Sequence, residues 1–136
     1  MTFVVKDVPG KGRGLFTNVF IPKGQLIIRY EGEHISEAEA ARREDEYGAD
    51  TCCYMFYYTT RDRKDKKIVH CLDATHSRHE SRLINHSKKH ANLKPEYVYD
   101  HIWFRARRDI EPGTELLFDY NETRKDVLAA NPWLKE

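Results

Sequence analysis

The chain has 136 residues, 33% of them charged and 12% aromatic, and its 23 basic and 22 acidic groups leave a net charge of +1. That length is one domain, able to bury roughly two thirds of the surface its unfolded form exposes. Near-zero charge excludes a global field drawing the chain onto nucleic acid or an anionic membrane. No apolar run reaches the roughly 18 residues of a membrane helix, and the opening "MTFVVKDVPG" lacks a signal peptide's basic region and apolar core. The expectation is a soluble, intracellular protein.

In chain order, turn signals fall at "PGKGRG" (9–14), "IPKGQ" (21–25), "YEG" (30–32), "RDRKDKK" (61–67) and "IEPGTE" (110–115). Between them lie strand-like runs: "LFTNVF", "QLIIRY", "CCYMFYY", "KIVHCLDA", "YVYDHIWFRA" and "ELLFDY". Ser36 and Glu39 form a capping box ahead of "EAEAARREDEY", which predicts an exposed polar helix. Thr123 and Asp126 can cap a second, short "RKDVLAA" helix before Asn131-Pro132. Short strands with few short helices predict a mostly β, folded-over architecture and not a parallel α/β sheet. The mixed-charge run 61–67 reads as the solvated tip of a hairpin.

Cys52, Cys53 and Cys71 match no zinc or disulfide spacing, and an odd count suits a reducing compartment. His76, His79 and His90 read as solvated loop residues, and no metal site is expected. "GKGRG" at 10–14 is a Gly-rich turn whose backbone can approach a ligand closely. It has no Lys-Ser/Thr ending and no helix after it, which argues against a phosphate loop. In "SRLINHS" (81–87), Leu83 and Ile84 lead straight into Asn85, His86 and Ser87, where burial should be deepening. Asn85 and His86 can hydrogen-bond a buried ligand or tie off the backbone of a crossing loop. Tyr30, Tyr54 and Tyr120 each lie in or at the end of a strand, but spacing alone does not make them converge. Phe118 and Tyr120, two apart, point to one face and read as one wall of a narrow aromatic slot.

The ordered run "GKGRGLF", "IRYEG", "CYMFYY", "LDAT", "RLINHS" and "ARRDIEPGTELLFDY" resembles a SET-domain protein lysine methyltransferase over nearly the whole chain. Within that family it is most similar to the histone H4 lysine-20 methyltransferase subfamily, including the tail "NPWLKE". The resemblance implies a SET domain over 1–121, small β-sheets around a pseudoknot, and a C-terminal helix and tail (122–136) closing the cofactor and lysine sites. It implies S-adenosyl-L-methionine as methyl donor, held by Lys11, Gly12, Arg13, Tyr54, Asn85, His86 and Trp133. Lys88 follows "NHS" where many SET enzymes have a cysteine, and no zinc-binding cysteine cluster follows the domain.

By the same resemblance Tyr30 lines the lysine channel and Tyr120 sits at its base. Phe118 occupies the position that sets how many methyls fit. The lysine-20 monomethylase has tyrosine there, so phenylalanine implies di- or trimethylation. The implied partner is a histone tail, with H4 lysine 20 as its target, presented as peptide or nucleosome to a monomeric enzyme acting in the nucleus. Glu31, Glu33, Asp119 and Glu122 are expected at the channel mouth, where they can attract a basic tail. The rival readings are a SET-like module that grips a peptide without transferring methyl, a methyltransferase of another histone or non-histone lysine, and a basic β-domain that binds nucleic acid. Net charge argues against the last.

Overall fold

The computed structural model describes residues 2–48, 54–99 and 101–119, which form ten strands, one α-helix and one 3-10 helix in four small sheets. The first sheet is the antiparallel hairpin of β1 (Phe3–Val8) and β2 (Gly12–Thr17), turning through the Gly-rich stretch, with Lys11 N donating to Val8 O at 3.0 Å. A second sheet orders β3 (Leu26–Arg29), β9 (His101–Ala106) and β8 (Leu93–Val98), with β9 central. The third orders β4 (Glu33–Ser36), β6 (Lys67–Asp73) and β5 (Met55–Arg61). Among the described residues, the mostly β expectation holds, and no helix is long and apolar enough to cross a membrane.

Strand alternation explains the core. On β9, Ile102, Phe104 and Ala106 are buried while His101, Trp103 and Arg105 are half-buried, the period of two that a pleated strand imposes. With Leu15, Ile21, Leu72, Ile84, Leu93, Ile110 and Leu116 they form one continuous cluster. The sequence run "YVYDHIWFRA", read above as a single strand, instead spans two antiparallel strands, β8 ending at Val98 and β9 starting at His101, with Tyr99 leaving the first. Tyr99 adopts φ +47° there, and no Gly or Pro marks the turn. Phe3–Val8 and Glu33–Ser36 add two strands absent from the expected set, because neither alternates cleanly between apolar and polar residues.

Helix α1 (Glu37–Tyr47) is capped as predicted on one side of the box: Glu39 N donates to Ser36 Oγ at 3.1 Å. The return half is not made, since the Glu39 carboxylate is taken by Arg42 and Arg43. Only Ala40 of this helix is buried. The 61–67 run is a fully exposed hairpin tip, where Asp62 Oδ1 accepts from Lys64 N at 2.8 Å and Lys66 N at 2.9 Å. The predicted helix after Thr123, together with Cys52 and Cys53, lies outside the described residues.

The last described strand, β10 (Leu117–Phe118), pairs in parallel with β7 (Asn85–His86). Just before it, Glu115 bridges Phe16, and Leu116 N donates to Leu15 O at 2.8 Å. The 115–118 stretch is therefore laid between the first hairpin and the 85–87 segment. Asn92 locks it in place: its Nδ2 donates to Glu115 O at 2.8 Å and its Oδ1 accepts from Leu117 N at 2.9 Å.

Candidate active site

Four aromatic rings from four separate elements meet in the core. Tyr30 follows β3, Phe56 lies on β5, Phe104 on β9 and Phe118 on β10. Ring centroids are 5.6 Å apart for Tyr30–Phe56, 5.9 Å for Tyr30–Phe104, 4.8 Å for Phe104–Phe118 and 6.3 Å for Phe56–Phe118. These separations and tilts are those of favourable ring packing. Tyr30 is fixed by its backbone N, which donates to Ile102 O at 2.8 Å, while its hydroxyl donates to the Tyr54 carbonyl at 3.4 Å. Phe56 and Phe104 were not singled out in the sequence, although both occupy inward positions of alternating strands. Tyr120 and Trp133 lie outside the described residues.

A polar side adjoins the rings through β7, whose His86 stands opposite Phe118 in the parallel register. His86 is 1% exposed, with Nδ1 3.8 Å from Asp119 Oδ1. Its carbonyl accepts from Lys11 Nζ at 2.9 Å. Asn85 Nδ2 donates both to Arg13 O at 3.0 Å and to Glu115 Oε2 at 2.9 Å. The Gly-rich turn is thus stitched to the buried Asn-His pair, which sequence spacing of more than 70 residues gave no means to see. Gly14 makes the approach feasible: a Cβ there would press on Glu115 Oε2, stand 2.8 Å from Val8 Cγ2 and 3.0 Å from Asn85 Nδ2. Gly12, at φ +79°, faces open space on its side-chain direction, leaving backbone accessible to a ligand.

Tyr54 is brought in by a cation. The Arg82 guanidinium stands 4.8 Å from the Tyr54 ring centroid, and its Nη1 donates to Thr75 O at 2.7 Å. The Tyr54 carbonyl also accepts from Ala74 N at 2.9 Å. Arg82 was not foreseen as a supporting residue, and a separation of 28 positions offered no local signal.

The carboxylates expected to draw in a basic tail are partly committed to arginines. Glu31 Oε1 accepts from Arg29 Nε at 2.5 Å, and the Glu33 carboxylate is gripped at both oxygens by Arg43 at 2.9 Å. Hydrogen bonding from Arg43 holds Glu33 below the usual carboxylate range. Two of the four carboxylates are therefore already neutralised, and Glu122 lies outside the described residues. Among the described residues, no group of His, Cys, Asp or Glu could hold a metal ion.

A crossing of two parallel segments beside a ring-lined core, with a glycine turn stitched to a buried Asn-His pair, defines a SET-type site. A family model described as SET domain matches residues 12–121, and the chain belongs to the SET domain family. It is 39% identical to N-lysine methyltransferase KMT5A of Xenopus tropicalis, over 94% of this chain and 38% of that protein. It is 38% identical to histone-lysine N-methyltransferase Set8 of Drosophila melanogaster, over 96% of this chain and 19% of that one. The chain thus spans well under half the length of these curated relatives. Among solved structures it is similar to ctPRC2, from Chaetomium thermophilum, in an autoinhibited conformation bound to S-adenosylmethionine, with TM-score 0.72, 31% identity, and coverage of 94% of this chain and 16% of that one.

Proposed function

We propose that the chain is an S-adenosyl-L-methionine-dependent protein lysine N-methyltransferase acting on a histone tail, with H4 lysine 20 as its target and two or three methyls as its product. The observation that carries this reading is the convergence of Tyr30, Phe56, Phe104 and Phe118 into one buried ring cluster directly beside the Asn85-His86 segment. The relatives named above are lysine methyltransferases, one of them histone-directed, and a structural neighbour binds the cofactor. Chromatin is then the site of action, which means the nucleus.

The residues fit the cofactor. Lys11 offers a cation to its carboxylate, the open backbone at Gly12, beside Arg13, lets a ligand lie close, and Asn85 and His86 bring polar groups to an otherwise apolar wall. Tyr54 offers a ring face; Trp133 and the 122–136 segment, which lie outside the described residues, would close the site in this reading. When bound, the cofactor supplies an electrophilic methyl on a sulfonium.

The chain's own work is on the amine. A lysine of pKa about 10.4 must lose its proton to attack, which costs about 4–5 kcal/mol at neutral pH. A channel walled by Tyr30, Phe56 and Phe118 disfavours the ammonium by desolvation and so lowers that cost. The Tyr30 and Tyr120 hydroxyls orient the lone pair, and holding the two reactants in line removes much of the entropic barrier. No nucleophilic side chain is needed.

The test is incubation of the chain with labelled cofactor and a panel of histone peptides and nucleosomes. Methyl transfer to H4 lysine 20 is expected, and Tyr120→Phe should cut turnover by about 100-fold or more while leaving the fold intact. Cofactor and peptide binding with no product would instead identify a non-catalytic module.

A further inference from the structure

The net charge of +1 conceals an uneven distribution. One face of the molecule gathers the ends of β8 and β9, the 22–25 turn and the 87–92 segment. Lys94 stands opposite Arg105 in the β8–β9 register. Gly24 N donates to Ala106 O at 2.9 Å, Arg107 N to Asn92 O at 2.9 Å, and Arg108 Nη2 to His90 O at 3.0 Å. These bonds group Lys23, Lys94, Arg105 and Arg107 around an open concavity of about 580 Å³. Lys88, Lys89 and Arg108 adjoin it, all exposed.

Among the described residues, the two carboxylates seen bonded on this face, Glu96 and Asp109, are both occupied. Glu96 is held by Arg105 at 2.6 Å, and Asp109 Oδ1 accepts from Lys23 N at 2.8 Å. Among the described residues, Lys23, Lys88, Lys89 and Lys94 have no ion-pair partner. The concavity contains no aromatic side chain, and its apolar part is Gly24 and Ala106. Protein-partner hot spots are enriched in Trp, Tyr and Arg; this surface offers no aromatic anchor, and its Arg105 is already held by Glu96. A polyanion with closely spaced charges is matched by it, and duplex nucleic acid carries one phosphate charge per about 1.7 Å of axis.

We propose that this face binds the phosphate backbone of double-stranded nucleic acid, without regard to base sequence. Lys23, Lys88, Lys89, Lys94 and Arg107 are none of the residues assigned above to the ring cluster or the cofactor, so the proposal stands whether or not the chain transfers methyl groups.

Fluorescence anisotropy of the whole chain with a labelled duplex of about 20 bp, over about 50–200 mM salt, tests it. Affinity should fall with salt, with a log–log slope of about −0.9 per phosphate contacted. The triple variant Lys23→Gln, Lys88→Gln, Lys94→Gln should flatten that slope by about 2–3 and weaken binding ~10-fold or more at the lowest salt. A control that removes equal charge from the hairpin tip, Arg63→Gln, Lys64→Gln, Lys66→Gln, should bind as the parent does. Peptide methylation by the first variant should be unchanged, which separates this surface from the active-site reading. The proposal is overturned by absence of duplex binding at low salt, by an equal loss in the control, or by tighter binding to labelled poly-glutamate than to the duplex.

Discussion

In the proposed function, the number of methyls added turns on a single atom at Phe118. Its ring is 4% exposed and lies 4.8 Å from Phe104 and 6.3 Å from Phe56. A tyrosine there adds a buried hydroxyl, which must find a partner. In a lysine channel that partner is a water beside the amine, and the space it fills is the space a methylated amine needs to rotate. Phe118→Tyr should therefore lower the number of methyls added, read by mass spectrometry after long incubation. A parent enzyme that stops at one methyl refutes the reading. Gly14 decides a different matter. Gly14→Ala drives a methyl into Glu115, Val8 and Asn85, and overpacking of this kind costs about 1–3 kcal/mol. Denaturant unfolding should register that loss; a stability equal to the parent's would show that the stitched turn can relax without cost.

At the scale of elements, the short strand β10 is held less by its two-residue pairing than by Asn92. The Asn92 side chain is buried, and both ends of its amide are committed to the 115–117 backbone. Asn92→Ala orphans the Glu115 carbonyl and the Leu117 amide, each worth about 1–3 kcal/mol when buried and unmade. The Leu117 amide should change from slow to fast hydrogen exchange, and methyl transfer should fall with it because Phe118 loses its support. Retained protection at Leu117 would remove Asn92 from this role. Asn92 also marks the limit of sequence reading. Local signals were legible: the Ser36 cap, the 61–67 tip and the alternation of β9 follow from neighbours a few positions apart. The β7–β10 pairing joins residues about 30 apart in parallel and has no periodic signature, so only the family resemblance suggested it. Turn chemistry failed at Tyr99 for the opposite reason, since a left-handed residue without glycine breaks the local rule that would have revealed it.

Across the whole molecule, one guanidinium joins helix to sheet. Arg43 of α1 reaches Glu33 on β4, Glu39 on its own helix and Asp73 at the end of β6. Exposed pairs such as Arg42–Glu46 contribute little, but the Asp73 side chain is 1% exposed and its partner Arg43 15%. Burial pushes the Asp73 carboxyl up, yet bonds from the Thr75 amide, Arg43 and Tyr47 outweigh it and hold the group below the usual aspartate range. A depressed folded value means that the stabilisation is fully present above the unfolded aspartate pKa of about 3.9. It fades as pH falls through the lower, folded value, because only there does the native state take up the proton. Asp73→Asn removes the charge at every pH. The variant should therefore be less stable than the parent at pH 7, and the gap should narrow as acid is added below about pH 4. Urea unfolding of both proteins from neutral pH to about pH 2 measures the gap. A difference that stays constant across that range would mean that Asp73 contributes through packing and hydrogen-bond geometry, and not through its charge.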